Sequence, residues 1–287
     1  MDRDEARNSS RLVFLKLGGS LITEKDFPRT ARFQTLDRLA GEIAAALGED
    51  TGLGLLVGHG AGSFGHVSAE KYGTRDGVDT PEEWRGFAEV WWDASALNRL
   101  VMEALRAAGL PAVALPASAS VTARDGAVVS WDLLPLKAAL RGGLLPVVYG
   151  DVIFDLVRGG TILSTEELFA HLAEELRPDR ILLAGIEPGV WRDYPACTEL
   201  IYEITPGNIA EVLPFLGGSK ATDVTGGMAS KVAESLALVG KVPGLEVEIF
   251  SGEEPGKVLS ALLGKRVGTA IRWENSVNPG LSYNQNP

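Results

Sequence analysis

The chain has 287 residues, 45% of them hydrophobic, and its 27 Lys and Arg against 38 Asp and Glu give a formal net charge of −11 at pH 7. This length is enough to bury a sizeable core, and the acidic balance leaves no basic surface for the phosphate backbone of a nucleic acid. The single cysteine, Cys197, excludes an internal disulfide and a zinc site built from several thiolates.

The two ends of the sequence differ in composition from the rest. Residues 1–11 mix acidic and basic side chains without an apolar segment, which predicts a flexible tail and neither a signal peptide nor a membrane anchor. Residues 273–287 carry Pro, Gly and several Asn without apolar periodicity, which predicts a loose tail. We therefore expect a cytoplasmic protein that has neither a membrane nor a nucleic acid as partner.

Short apolar runs alternate with longer stretches of helical periodicity between these tails. The runs typical of buried strands are 12–17, 53–57, 111–115, 144–149, 152–156, 180–184 and 247–250. The stretches with helical periodicity are 33–47, 81–108, 131–141, 165–176, 227–239 and 255–263. Because parallel strands need helical crossovers, this alternation predicts an α/β sandwich with a mainly parallel central sheet.

The predicted domain covers residues 12–272. A soft boundary follows Asp151, where a short strand leads into the glycine-rich turn RGGT (158–161). We expect two lobes, about 12–155 and 156–272, around one continuous sheet. Ligands of open α/β sheets bind at the carboxyl ends of strands, so the loops that follow the strands are where the chemistry is expected.

The first of these loops is KLGGS (16–20). Gly18, Gly19 and Ser20 can turn backbone amides toward an anion, and Lys16 adds a fixed positive charge. The order of residues differs from a Walker A loop, so a plain strand-to-helix turn with a surface lysine remains an alternative. Lys25, a few residues later, is by itself equally typical of a solvated loop charge.

The second loop, GHGAGSFGH (58–66), is more informative. Four glycines in nine residues after a buried strand predict a backbone nest for phosphate, with the N-terminus of the following helix adding partial positive charge. Two of the three histidines of the chain, His59 and His66, flank this nest. A single histidine is usually structural, but two beside a nest favour an anion contact, and His66 is the stronger candidate.

The third loop, GSKATDVTGGM (218–228), leads into a helix that carries Lys231. Asp223 and Thr225 can cap a helix or a nest, and Gly226 and Gly227 allow close approach of a nucleotide. A capped helix start with a solvated lysine explains the Asp and the Thr, but not the glycine pair. Lysines, three glycine-rich loops and no Ser/His/Asp triad together predict phosphoryl transfer.

These motifs resemble the amino acid kinases and, within them, the isopentenyl phosphate kinases. The matching segments occur in the family order from about residue 12 to residue 272, and they are KLGGSLIT (16–23), GHGAGSFGH (58–66), YGDV (149–152), LSTEEL (163–168) and TDVTGGM (222–228). GSFGH is the narrowest of them, because isopentenyl phosphate kinases and fosfomycin kinases carry a histidine there. The resemblance implies a three-layer αβα sandwich, with an acceptor-phosphate lobe at 12–155 and a nucleotide lobe at 156–272.

The resemblance also implies roles for individual residues. Lys16 would bridge the transferring phosphoryl group, Lys25 and Lys231 would neutralise ATP phosphates, and His66 would hold the acceptor phosphate. The acceptor-binding set is Gly58, His59, Gly60, Ala61, Gly62, Ser63, Gly65, His66, Gly150 and Asp151. The ATP-binding set is Lys16, Gly18, Gly19, Ser20, Lys25, Asp223, Thr225, Gly226, Gly227 and Lys231. Mg²⁺ is expected to accompany ATP without a dedicated protein cage.

Two segments depart from the family pattern. Glu166 and Glu167 stand where the family commonly has Asp in an SGDD-like motif, and GIEPG (185–189) replaces a DVDG-like segment. Glu166 is expected to be catalytic if it orients the lysines, and the alternative is an acidic residue that only interacts with the helix dipole.

The implied activity is ATP-dependent phosphorylation of isopentenyl phosphate to isopentenyl diphosphate, by a homodimer. One alternative is a kinase for another small phosphate or phosphonate acceptor such as fosfomycin. Another is a nucleotide-binding regulatory or storage protein of the same fold that has lost turnover.

Overall fold

The computed structural model describes residues 11–216 and 227–273. Of the residues singled out above, Asp223, Thr225 and Gly226 lie outside the described residues, as do nearly all of both predicted tails.

The described strands include all seven of those predicted. They are β1 Leu12–Leu17, β2 Gly54–His59, β3 Ala112–Ala114, β4 Val121–Arg124, β5 Ala127–Trp131, β6 Leu145–Tyr149, β7 Asp151–Asp155, β8 Gly159–Leu163, β9 Arg180–Gly185, β10 Val190–Trp191, β11 Leu200–Ile201, β12 Glu203–Ile204, β13 Glu246–Ser251 and β14 Thr269–Arg272.

The described helices agree with the predicted periodic stretches to within a few residues. They are α1 Gly19–Ile22, α2 Phe33–Glu49, α3 Gly62–Tyr72, α4 Pro81–Ala107, α5 Leu134–Arg141, α6 Thr165–Leu176, α7 Ile209–Leu216, α8 Gly227–Lys241 and α9 Lys257–Leu262. The predicted helix at 131–141 begins three residues late, because Trp131 ends β5.

The central sheet has the order β12-β14-β13-β9-β1-β2-β6-β3 among the described residues, and β13–β14 is its antiparallel pair. Side chains alternate across each strand of such a sheet. Val13, Leu15 and Leu17 of β1 accordingly pack into one apolar core with α2 and α4, while Phe14 packs into a second core with α6 and α8. The expected three-layer αβα sandwich with a mainly parallel sheet is confirmed.

A separate four-stranded sheet, β5-β4-β7-β8, lies beside the central one and differs from the single continuous sheet that we expected. Its small core consists of Ala117, Val121, Ala123, Ile153, Leu163 and Leu168. The physical reason is that β6 ends at Tyr149 and the chain leaves the central sheet through Gly150 before β7 begins. Among the described residues, no helix is both long enough and apolar enough to span a bilayer.

Candidate functional site

The first two glycine-rich loops contact each other directly at the carboxyl ends of β1 and β2. A Cβ atom on Gly19 would lie 2.4 Å from the backbone nitrogen of Gly62, and one on Gly60 would lie 2.9 Å from the nitrogen of Gly19. Side chains at these positions would therefore force the two loops apart. The close approach brings backbone from both loops to one place, as a phosphate nest requires.

Lys16 and Glu166 form the charged centre of the site. Lys16 lies next to the end of β1, and Glu166 lies in the first turn of α6. The Lys16 ammonium and the Glu166 carboxylate form an ion pair, with side chains that are 12% and 14% exposed. The sequence alone left open whether Glu166 reaches a lysine or only faces the helix dipole, and the structure brings it to Lys16.

The neighbouring residue Glu167 has a different position, because it belongs to the capping box of α6. The Ser164 hydroxyl accepts from the Glu167 backbone nitrogen at 3.1 Å, and the Glu167 carboxylate accepts from the Ser164 nitrogen at 2.6 Å. This reciprocal pair satisfies the free amides at the start of the helix. Glu166 is therefore not needed as a cap and can point toward Lys16.

Burial of Glu166 raises its pKa, but the nearby Lys16 ammonium, its hydrogen bond and the charge of Lys231 outweigh burial, so the pKa lies below its ordinary value. The carboxylate is therefore ionised at neutral pH. An ionised Glu166 holds the Lys16 ammonium in place, and with Lys231 nearby the three side chains together keep a net positive charge.

These groups open into a cavity of about 620 Å³. Thirteen of the predicted site residues contribute to its wall: Lys16, Gly18, Gly19, Ser20, Lys25, Gly60, Ala61, Gly62, Gly65, His66, Gly150, Glu166 and Lys231. All but Lys25 come from the ends of β1, β2 and β6 or from the starts of α1, α3, α6 and α8, and Lys25 lies in the loop after α1. The carboxyl edge of the parallel sheet is thus where the cationic side chains and the glycine-rich backbone meet.

Gly58 and His59 are not part of this wall, contrary to the expectation that both bind the acceptor. A Cβ atom on Gly58 would lie 2.6 Å from the Phe169 ring, so its glycine allows α6 to pack on β2. The His59 ring is fully buried, stacks on Tyr149, and places its nitrogens 3.1 Å from the Gly60 carbonyl oxygen and 3.2 Å from the Asn98 side-chain oxygen. Burial lowers the pKa of His59.

Ser63, Asp151 and Gly227 also lie outside the cavity wall. The Ser63 backbone nitrogen donates to the Thr23 hydroxyl at 3.0 Å, which ties α3 to the first loop. Asp151 is 1% exposed and accepts from the Ser118 nitrogen at 3.1 Å, and burial raises its pKa to about 6. Asp151 therefore anchors the β6–β7 turn from inside, and only its neighbour Gly150 reaches the cavity.

The cavity wall also has an apolar part, whose residues were not among those predicted from the sequence. Ala69 of α3, Val90 and Ala94 of α4, and Ile162 of β8 line the cavity on the side of His66. Val90 and Ala94 are four residues apart and share one face of their helix, which is the signal that the sequence offered. The neighbouring Trp91 and Trp92 point away and are 42% and 63% exposed.

Arg75 is a further wall residue without a local sequence signal. Its guanidinium donates to the Glu167 carboxylate at 2.9 Å across 92 residues of sequence. This bond joins the loop after α3 to the start of α6. Glu187, in the departing GIEPG segment, also lines the cavity, and its carboxylate accepts from the Trp191 indole at 2.9 Å.

Comparison with known proteins agrees with this geometry. A family model described as "Amino acid kinase family" matches residues 11–251. The isopentenyl phosphate kinase of Methanothermobacter thermautotrophicus is 37% identical over 268 residues, which is 91% of this chain and 98% of the relative. That of Haloferax volcanii is 38% identical over 265 residues, with 92% and 99% coverage.

Solved structures lead to the same group. One described as "X-ray structures of isopentenyl phosphate kinase" has a TM-score of 0.76 and 34% identity, and covers 91% of this chain and 99% of that one. A product complex of the isopentenyl phosphate kinase from T. acidophilum has a TM-score of 0.72 and 26% identity, with 91% and 100% coverage. With the family match over most of its length, this chain belongs to the amino acid kinase family.

Proposed function

We propose that this protein transfers the γ-phosphoryl group of ATP to isopentenyl phosphate and so forms isopentenyl diphosphate. The observation that carries the proposal is that one cavity joins Lys16, Glu166 and Lys231 to His66 and two glycine-rich loops. Relatives over 30% identical along nearly their whole length are named for this reaction.

Phosphoryl transfer makes few covalent demands on the protein, and catalysis rests on positioning and charge neutralisation. Lys16 would contact the transferring group between donor and acceptor, held in place by Glu166. Lys25 and Lys231 would neutralise ATP phosphates, and the amides of the glycine-rich loops would bind phosphate oxygens. His66 would donate a hydrogen bond to the acceptor phosphate, and the apolar wall beside it suits a short hydrocarbon chain.

Magnesium is proposed to enter with ATP. Within residues 11–216 and 227–273, no group of three or more His, Cys, Asp or Glu side chains is arranged to hold a metal ion. Glu166 is already paired with Lys16. Phosphate oxygens are the ligands that Mg²⁺ prefers, and the ion usually keeps several waters, so a protein cage is not required.

The lobes at 12–155 and 156–272, the homodimer and the cytoplasmic location remain proposals as well. Lys16, His66 and Gly150 from residues 12–155 and Glu166 and Lys231 from residues 156–272 all line the same cavity, which supports a site shared by the two proposed lobes. Light scattering of the purified protein would test the homodimer, and fractionation of the native cell would test the cytoplasmic location.

The function is tested with a panel of acceptors, with ATP and magnesium, by measuring ADP release and identifying the product. We expect isopentenyl diphosphate from isopentenyl phosphate, and no turnover of glutamate, aspartate or carbamate. If fosfomycin is turned over and no isopentenyl diphosphate forms, fosfomycin would replace isopentenyl phosphate as the proposed acceptor. Nucleotide binding without turnover of any acceptor would favour the regulatory or storage alternative.

His66→Ala is expected to raise the KM for isopentenyl phosphate by about 10- to 100-fold, because a charge-assisted hydrogen bond contributes about 1.5 to 3 kcal/mol. The KM for ATP should change little. His171→Ala is a matched control, because His171 stacks on Trp131 and lies outside the cavity wall. Unchanged acceptor saturation in His66→Ala would remove His66 from the acceptor site.

Glu166→Gln is expected to lower turnover by about tenfold, because the amide keeps the shape of the side chain but no longer fixes Lys16 by charge. Glu166→Asp keeps the charge but is one methylene short, and we expect an intermediate loss. Glu174→Gln is the control on the same helix, since Glu174 pairs with Lys241 at the surface. Wild-type turnover in Glu166→Gln, together with a lowered melting temperature, would reduce Glu166 to a structural role.

A further inference from the structure

The loop that carries Lys25 folds back on itself as a narrow hairpin. Thr23 and Ala31 form an antiparallel bridge at its base, and the Glu24 nitrogen donates to the Thr30 carbonyl oxygen at 2.9 Å. Lys25 lies between these contacts on the cavity wall, with its side chain exposed. The position of Lys25 therefore depends on what holds this hairpin, residues 24–30, against the rest of the molecule.

Arg29 provides two contacts at the tip of the hairpin. Its backbone has φ of 53°, a left-handed conformation that a residue other than glycine adopts only when its surroundings hold it there. Its nitrogen donates to the Ser63 carbonyl oxygen at 3.1 Å, and its guanidinium lies 2.5 Å from the Asp93 carboxylate.

Asp93 is an unusual partner for a loop arginine, because it is buried on α4. It is 2% exposed, and one of its carboxylate oxygens accepts from the Ser68 hydroxyl of α3 at 2.9 Å. The other oxygen has no hydrogen-bond donor among the described residues and faces the Arg29 guanidinium. A buried carboxylate without a counter-charge is strongly unfavourable, so Asp93 favours the conformation in which the hairpin is docked.

The three elements that meet at Asp93 all contribute to the cavity. The hairpin contributes Lys25, α3 contributes Gly65 and His66, and the residues of α4 on either side of Asp93 include Val90 and Ala94. Arg29 itself is 58% exposed, so its guanidinium can leave Asp93 for water without crossing the core. The contact thus joins an exposed cation to a buried anion.

We propose that Arg29 is a positioning residue, whose ion pair with buried Asp93 holds the hairpin 24–30 docked and keeps Lys25 at the phosphate end of the cavity. The part of this inference that concerns ATP rests on the proposed function. The docking itself does not, because it follows from contacts of the protein alone. Loss of the pair favours an undocked hairpin with Lys25 displaced from the site.

Docking is tested in the protein without substrates, by cleavage with endoproteinase Lys-C after Lys25, followed by mass spectrometry. Proteases cut chain that is transiently released, so the rate reports the undocked population. Arg29→Ala is expected to raise the cleavage rate at the 25–26 bond by about tenfold. An effect of this size lies between that of losing an exposed ion pair and that of losing a buried one. Asp93→Asn, which keeps the shape but not the charge, should have a similar effect.

Two further variants separate positioning from general loss of structure. Arg29→Lys keeps the charge but adds a Lys-C site after residue 29, so it is scored by its ATP kinetics, and it should recover part of the wild-type KM for ATP. In Arg29→Ala/Asp93→Asn the effects should not add, because either change alone already removes the pair. Arg99→Ala is the matched control, an exposed arginine on the same helix as Asp93. If Arg29→Ala does not fold, Asp93→Asn and Arg29→Lys carry the test.

Kinetics then link docking to the site. Arg29→Ala is expected to raise the KM for ATP and lower kcat, each by about three- to tenfold, with a smaller change in the KM for the acceptor. Equal Lys-C rates at the 25–26 bond in wild type, Arg29→Ala and Asp93→Asn would overturn the inference. So would faster cleavage with unchanged ATP kinetics. Failure of the wild type to turn over any acceptor would refute the proposed function instead, and the cleavage result would still decide the docking.

Discussion

Lys16→Ala is expected to lower turnover of isopentenyl phosphate by about two orders of magnitude or more, because removing the cation leaves the charge on the transferring phosphoryl group uncompensated. The structure supports so large an effect. The Lys16 ammonium is largely buried beside the glycine-rich loops, where a charge interaction is stronger than in water. The backbone of Lys16 is held by β1, which pairs with β2 and β9 on its two sides.

Lys16→Ala also leaves Glu166 without its nearest counter-charge, so some loss of stability is expected beside the loss of turnover. Lys16→Ala/Glu166→Gln separates the two effects, because it removes the stranded charge and should recover melting temperature but not turnover. Lys241→Ala is the control, an exposed lysine on α8 that pairs with Glu174. Turnover near the wild-type value in a well-folded Lys16→Ala protein would exclude Lys16 from the mechanism.

The convergence of the glycine-rich loops could be predicted because it follows from local signals. Each loop comes directly after an apolar run, and the carboxyl ends of parallel strands meet at one edge of a sheet. Identifying the runs that begin with Leu12 and Leu53 as parallel strands was therefore enough to bring Gly19 near Gly60. The close backbone contact between these two loops adds the reason why glycine is needed at both positions.

The two histidines of one motif show where prediction from local sequence ends. His59 is the last residue of β2 and points into the core, whereas His66 lies one turn into α3 and reaches the cavity. The difference depends on where the strand ends and the helix begins, and such boundaries are the least certain part of any sequence-based assignment. The glycine-rich motif likewise does not distinguish a glycine that binds a ligand from one that allows packing, and Gly58 packs closely against Phe169.

Contacts between distant parts of the sequence had no signal at all. Arg29 and Asp93 are 64 positions apart, and Arg75 and Glu167 are 92 apart. Neither pair belongs to a motif, and each residue alone is typical of a solvated surface charge. The separate sheet of β4, β5, β7 and β8 was missed as well. Of its strands only β7 coincides with a predicted run, and β4, β5 and β8 are short and only partly apolar.

Arg180→Met is expected to cost about 3 to 5 kcal/mol of the free energy of unfolding, because it leaves the buried Glu248 carboxylate without its cation. Arg180 pairs with Glu248, which is fully buried, and its Nε lies 3.3 Å from the Glu246 carboxylate. With about 2 to 4 °C per kcal/mol for a domain of this size class, the melting temperature should fall by about 10 °C. The cluster lies at the amino ends of β9 and β13, opposite the cavity, so turnover per folded molecule should be unchanged.

Arg192→Met is the matched control, because Arg192 pairs with Glu199 at 3.0 Å on the surface, where such pairs contribute at most about 1 kcal/mol. Arg180→Met/Glu248→Gln should recover part of the loss, since the amide oxygen can still accept from the backbone nitrogens of Val267 and Gly268. A loss in Arg180→Met no larger than that in Arg192→Met would show that the buried pair adds little to stability.

The pH dependence gives this prediction a second test. Burial raises the pKa of Glu248 even with Arg180 beside it, and removing Arg180 removes an influence that lowers it, so the pKa in folded Arg180→Met should rise further. A carboxyl group whose pKa is higher in the folded than in the unfolded protein binds its proton more tightly when the protein is folded. Its contribution to stability is therefore most favourable at low pH, and it is lost as the pH rises through the pKa of the folded state. The gap in melting temperature between wild type and Arg180→Met should therefore be smaller at about pH 5 than at about pH 8. A gap that is the same at both pH values would mean that Glu248 stays ionised without Arg180, and that the lost stability comes from packing and not from the stranded charge. A gap that widens toward acidic pH would contradict the expected rise in the pKa of Glu248.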